Sequence, residues 1–282
     1  MRSISGIDVS VYNGDIDWKK VKESGVQFAM IRAGFGSYAD QKDARFEENY
    51  RGAKAVGIPV GAYWFSYAAD ADEAQLEAKA FLDVIKGKQF EYPVAYDIES
   101  RLQAQLSVET VDAIINAFCK YLERERYFIA LYSYDSFLAN NVSEATRSQY
   151  SVWAANTTGE PTVPYDIWQY SFDGSVDGIP ARTDLDRSRV DFAELIRSKG
   201  FNGFSKDKPE KPDDGDKRYL ITLKEGTWYY REGPSADDKA LGTVSGGYKY
   251  NCTKCENGWY YCPPMGGWFG PAAVKAVEVI SD

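Results

Sequence analysis

Short apolar runs recur along the first two thirds of the chain, separated by stretches in which apolar positions return every three or four residues. Brief runs rich in Val, Ile, Tyr, Phe and Trp fit strands, whereas the longer period fits amphipathic helices. On that pattern strands are predicted at 5–10, 27–34, 60–66, 94–99, 128–133, 151–155 and 165–171, with an eighth around Asp184. Helices are predicted over 17–24, 45–56, 71–86, 108–124 and 143–149. The fourth of these has a start signal in Ser107, whose hydroxyl can receive the first free N–H groups, and it sets Val111, Ile114, Ile115 and Phe118 on one face. Regular strand–helix alternation predicts an α/β fold, a TIM-like parallel β/α barrel, over residues 1–203.

The pattern breaks at 204–217, a charged, proline-bearing run with almost no apolar residues, which reads as a linker. Beyond it, short strands at 219–223, 227–231, 240–244, 248–252, 258–262 and 267–269 are divided by Gly, Pro and Asn. Six such strands in so short a segment predict a small all-β barrel over 218–282.

Composition narrows the chemistry. The net charge of −9 falls almost wholly in residues 1–203, which hold 22 Lys+Arg against 30 Asp+Glu. An acidic body lacks the clustered cations that nucleic acid requires, so no nucleic-acid partner is expected. Histidine is absent, which removes Ser-His-Asp and Cys-His hydrolases and His-ligated zinc enzymes. A hydrolase built from this sequence must move protons with carboxylates. Cys119 falls within a helix, and Cys252, Cys255 and Cys262 cluster near the end. Without histidine those three lack the fourth ligand of a structural zinc set, so reduced thiols filling space are expected and no metal or cofactor is assigned. No run reaches the roughly 20 apolar residues of a membrane span, and no export signal precedes the first strand, so synthesis in the cytoplasm without membrane insertion is expected.

The sharpest local signal is Tyr92-Pro93-Val94-Ala95-Tyr96-Asp97-Ile98-Glu99. An apolar strand ends in carboxylates at i and i+2, which the two-residue period puts on one face. Neighbouring carboxylates repel, which tends to keep one protonated near neutrality and able to act as an acid. Two solvated acids at a strand end are the bland alternative. Asp8, in Ser5-Gly6-Ile7-Asp8-Val9-Ser10, lies on an otherwise apolar strand, where a charge needs a partner or a task. A third acid, Asp184, sits in the last predicted strand of the barrel. Tyr63, Trp64, Tyr132, Trp153, Trp168 and Tyr170 lie near strand ends, where rings can either stack on sugars or fill the core.

These residues carry a family resemblance. Gly6-Ile7-Asp8-Val9-Ser10 with Asn13-Gly14 and Asp17-Trp18, Ile31-Arg32-Ala33-Gly34, Gly57-Ile58-Pro59-Val60-Gly61-Ala62-Tyr63, the Asp97-Ile98-Glu99 strand and Ile167-Trp168-Gln169-Tyr170-Ser171 together resemble glycoside hydrolase family 25. These are the muramidases of Chalaropsis-type lysozymes and many phage endolysins, and the resemblance covers roughly residues 1–200. It implies cleavage of the β-1,4 bond from N-acetylmuramic acid to N-acetylglucosamine in peptidoglycan. Glu99 would be the general acid, Asp97 would orient the substrate acetamido group, and Asp8 and Asp184 would complete an acidic floor. Tyr63, Trp64, Tyr132, Trp153 and Gln169 would contact substrate. Two positions depart from the pattern: Trp64 stands where many relatives have His, implying a changed cleft wall, and Asp186 stands where relatives often have Asn.

In the last segment, Tyr230-Arg231-Glu232-Gly233-Pro234 and the pairs Gly258-Trp259 and Gly267-Trp268 resemble bacterial SH3-like wall-binding domains over 218–282. The combination implies a phage-type endolysin, made in the host cytoplasm and acting on the cell wall. A non-catalytic peptidoglycan-binding protein and a glucosaminidase are the alternatives.

Overall fold

Eight strands close into a barrel in the computed structural model: β1 (Ile4–Val9), β2 (Phe28–Phe35), β3 (Val60–Phe65), β4 (Val94–Asp97), β5 (Ile129–Tyr134), β6 (Ser151–Ala155), β7 (Ile167–Gly174) and β8 (Thr183–Ser188). The structure describes residues 3–204, 218–256 and 258–280, so the predicted linker lies, apart from Phe204, outside the described residues. The chain divides into two units, Met1–Asp207 and Lys208–Asp282.

The predicted all-parallel ring is corrected in one place. Strands β1 to β7 pair in parallel in chain order, but β8 runs antiparallel to both β7 and β1. A parallel neighbour needs a crossover of about a dozen residues or more, usually a helix. Only residues 175–182 join β7 to β8, so the chain turns straight back. The rim formed by the C-terminal ends of β1 to β7 therefore receives the beginning of β8, and Asp184 comes into register opposite Asp8.

Helices α1 (Trp18–Glu23), α2 (Phe46–Ala55), α3 (Ala71–Ile85), α4 (Val108–Arg124), α5 (Asp135–Asn140), α6 (Glu144–Arg147) and α7 (Phe192–Lys199) accompany the strands. Side-chain caps fix the longer starts: Asp70 accepts from the amides of Asp72 and Glu73, and Ser107 from that of Thr110. The apolar face predicted for α4 is wholly buried.

Along each strand the side chains alternate between two environments. Ile7, Ile31, Ala62, Trp64, Tyr96 and Leu131 face outward into one core with Phe81 of α3 and Phe118 of α4. Phe28, Met30, Tyr63, Ala95, Tyr132, Trp153 and Ile167 belong to a second core, inside the barrel. Near the N-terminal ends of the strands Phe28 stacks on Tyr92 with centroids 4.2 Å apart. Gly6 makes room for that ring, because a Cβ there would lie 2.2 Å from it. Aromatic packing thus fills the lower barrel, and polar side chains gather at the opposite rim.

The second unit is all-β. Strands β9 (Arg218–Leu223), β10 (Thr227–Arg231), β11 (Ala240–Ser245), β12 (Lys249–Cys252), β13 (Lys254–Glu256), β14 (Trp259–Cys262), β15 (Gly267–Phe269) and β16 (Val274–Ile280) form two antiparallel sheets, ordered β11-β10-β15-β14-β13 and β12-β9-β16. All six predicted strands are present, and β13 and β16 are additional. Ile221, Leu223, Cys252, Cys262 and Phe269 fill the space between neighbouring strands. Cys252 and Cys262 are buried free thiols in mutual hydrogen-bond contact, and the side chain of Cys255 lies outside the described residues.

Candidate active site

Four acids from three strands meet at the upper rim of the barrel. Asp8 is the penultimate residue of β1, Asp97 ends β4, Glu99 lies two residues further on, and Asp184 stands near the start of β8. The ladder continues past β4, since the Ile98 amide donates to the Tyr132 carbonyl at 3.0 Å. That extra bond keeps the chain extended, turning Ile98 out into the helix-side core and leaving Glu99 on the same side as Asp97.

A directional hydrogen-bond chain links these acids. The Gln169 amide nitrogen donates to Asp8 Oδ2 at 2.7 Å and to Asp184 Oδ2 at 3.3 Å. Its carbonyl oxygen then faces Tyr132, whose hydroxyl donates to it at 2.7 Å. The reverse amide orientation would turn an oxygen toward two carboxylates, so the pattern itself fixes Gln169. Glu99 also reaches the Tyr132 hydroxyl.

Electrostatics favour a neutral Glu99. Burial pushes the Glu99 carboxyl up to about 7, with the Asp184 charge adding to the rise and the Tyr132 contact opposing it. Burial raises Asp97 well above the usual carboxylate range, repulsion from Glu99 adds to this, and the Arg32 guanidinium pulls the other way. Asp8 is raised by burial and by Asp186 and Asp184, and Asp184 by its own burial. Five buried side-chain polar atoms lack a hydrogen-bond partner among the described residues, and three of them are Asp97 Oδ1, Glu99 Oε2 and Asp186 Oδ2. Unsatisfied buried groups are uncommon in folded proteins, so their concentration at one rim marks the place where chemistry is expected.

A second polar layer stands behind Asp97. Glu77 of α3 accepts from the Tyr67 amide at 2.7 Å and the Tyr96 hydroxyl at 2.8 Å, and Gln103 donates to Ser66 at 2.8 Å. These bonds tie the loops after β3 and β4 together and hold the end of β4 in place.

Of the predicted substrate contacts, Tyr63, Tyr132, Trp153 and Gln169 point into the barrel. Trp64 does not, which corrects the expected cleft wall. One residue after the inward Tyr63, it must face outward, where it stacks on Phe81 at 5.4 Å and donates to the Gly36 carbonyl at 2.8 Å. Trp64→Ala is therefore expected to cost about 3–5 kcal/mol in denaturant unfolding. Trp64→Phe should leave KM unchanged, and a raised KM would return the residue to the cleft. Trp168 and Tyr170 are half-buried, with Trp168 donating to the Asn156 carbonyl and Tyr170 lying under Arg187. Asp186 was not among the predicted site residues, although it is wholly buried beside Asp8 and accepts from Trp153 Nε1 at 2.8 Å. Its place two residues after Asp184 would have revealed it, by the same alternation that pairs Asp97 with Glu99.

Glycosyl hydrolases family 25 matches residues 7–179, and the chain belongs to that family. Among its relatives is an autolytic lysozyme of Clostridium acetobutylicum, 31% identical over 186 residues, which are 65% of this chain and 55% of that protein. Lysozyme M1 of Streptomyces globisporus is 31% identical over 211 residues, covering 68% of this chain and 70% of that one. In structure the chain is similar to the modular autolysin LytC from Streptococcus pneumoniae, solved in complex with a synthetic peptidoglycan ligand. That likeness has a TM-score of 0.60 at 27% identity and covers 66% of this chain and 46% of the autolysin. The chain thus spans about half the length of two of these relatives.

Proposed function

We propose that residues 1–203 form an N-acetylmuramidase that hydrolyses the β-1,4 bond between N-acetylmuramic acid and N-acetylglucosamine in bacterial peptidoglycan. One observation carries this reading: Glu99 stands half-buried at the rim with an unpaired Oε2 and a carboxyl pushed up to about 7, beside Asp97. Such a group keeps its proton near neutrality and delivers it to the departing glycosidic oxygen as the C–O bond breaks. Asp97 orients the acetamido group of the sugar, whose oxygen attacks the anomeric carbon. The resulting Glu99 carboxylate then takes a proton from the water that resolves the intermediate. Asp8 and Asp184, held by Gln169, form the acidic floor. Family membership and the lysozymes among the relatives support the assignment.

For residues 218–282 we propose an SH3-like wall-docking module that raises the local concentration of the hydrolytic unit on peptidoglycan. A hydrolytic unit and a docking module in one chain fit a phage-type endolysin, made in the host cytoplasm and acting on the wall.

Mass spectrometry of digested peptidoglycan tests the bond assignment. Muramic acid at the new reducing ends is expected. Glucosamine there would make the enzyme a glucosaminidase, and intact glycan beside bound protein would leave a non-catalytic wall binder.

A further inference from the structure

Asp186 holds a carboxyl that the proposed hydrolysis does not use. It is wholly buried, facing Gly6 of β1 across one edge of β8 and Gln169 of β7 across the other. Its Oδ1 accepts from Trp153 Nε1 at 2.8 Å, while Oδ2 has no donor among the described residues. Asp8 lies within hydrogen-bonding reach of it, itself only 5% exposed. Two carboxylates in contact at such depth, both ionised, would repel in a medium that screens poorly. The other titratable groups facing the pair are Asp184 on β8 and the hydroxyls of Tyr63 on β3 and Tyr132 on β5, none of them cationic. Two guanidinium groups of nearby strands are engaged elsewhere, Arg32 with Asp43 and Arg187 over the Tyr170 ring. The Gln169 amide, which meets Asp8 Oδ2, is shared with Asp184.

We propose that Asp186 is a positioning residue: it shares one proton with Asp8 through Oδ2, and so holds the Asp8 side chain in its place on the cleft floor. The arrangement satisfies the one unpaired oxygen of Asp186, leaves a single negative charge on the pair and gives Asp8 a second hydrogen-bond partner besides Gln169. Burial pushes the Asp186 carboxyl up to about 8, the contact with Asp8 opposes that rise, and the same contact raises Asp8, so the two carboxyls hold a proton between them. The indole of Trp153 occupies Oδ1, which leaves Oδ2 for the proton shared with Asp8.

Two measurements on the whole 282-residue chain test this. Infrared spectra of wild type and Asp186→Asn, compared at about pH 6, are expected to differ by one protonated-carboxyl carbonyl band, lost in the variant. An unchanged band would overturn the proposal. In the second measurement, Asp186→Leu, which fills the space but cannot hydrogen-bond, is expected to lose roughly tenfold or more in kcat/KM on peptidoglycan. Asp186→Asn should recover most of that loss, since its amide can donate to Asp8 while its carbonyl accepts from Trp153. A Leu variant as active as the Asn variant would contradict the positioning role. The kinetic comparison rests on the hydrolase reading, whereas the infrared comparison needs no turnover. A wild type inactive on every glycan would therefore defeat the hydrolase reading and leave the shared proton to be judged by the spectra.

Discussion

Glu99→Gln is expected to lower peptidoglycan turnover by about 10²- to 10⁴-fold, the usual contribution of a positioned general acid. The amide keeps the shape and the contact with Tyr132 but has no proton acidic enough for the leaving oxygen. Folding should survive, because the exchange replaces a half-buried group that holds its proton on the acid side of pH 7 by a neutral one of the same shape. Reducing-end release from purified walls, alongside denaturant midpoints, separates the two effects. Clearing at the wild-type rate by a folded Gln variant would remove Glu99 from the chemistry.

Asp97→Asn is expected to cost about 10²- to 10³-fold, on the scale of losing one preorganised electrostatic partner of a transition state. It should also alter the pH profile in a defined direction. The working pair holds one proton, so kcat should rise as the pair loses its first proton with increasing pH and fall as it loses its second. Burial raises both groups, which places the whole bell nearer neutrality than ordinary carboxylates would. Removing Asp97 should abolish the acid limb and keep the alkaline one. A variant that retains both limbs would assign the acid limb to another group, with Asp8 and Asp184 the first to examine.

Much of this arrangement is legible in the sequence because burial imposes simple periods. The inward Asp97 and Glu99 are separated by the outward Ile98, and Asp8 interrupts an otherwise apolar strand that could not carry a charge idly. Strand direction is a different matter, since alternation reads the same both ways along a chain. Only the short connection 175–182 hints that β8 turns back. The face of Trp64 was similarly hidden, because β3 is buried on both sides and either parity looks apolar. Helix α5 is too short to show a period, whereas α7 carries readable signals: Asp191 caps its start, and Gly200, at φ 66°, ends it in a left-handed turn. The Gln169 chain was beyond reach, since its bonds span up to 161 residues and depend on ring closure.

A carbon-13 NMR titration of the Glu99 carboxyl, assigned by its absence in Glu99→Gln, reaches the central claim most directly. The expected midpoint lies near 7, with the proton retained through the acid side of neutrality. A midpoint at the ordinary glutamate value of 4.5 would leave the group ionised where it must donate, and would contradict the account.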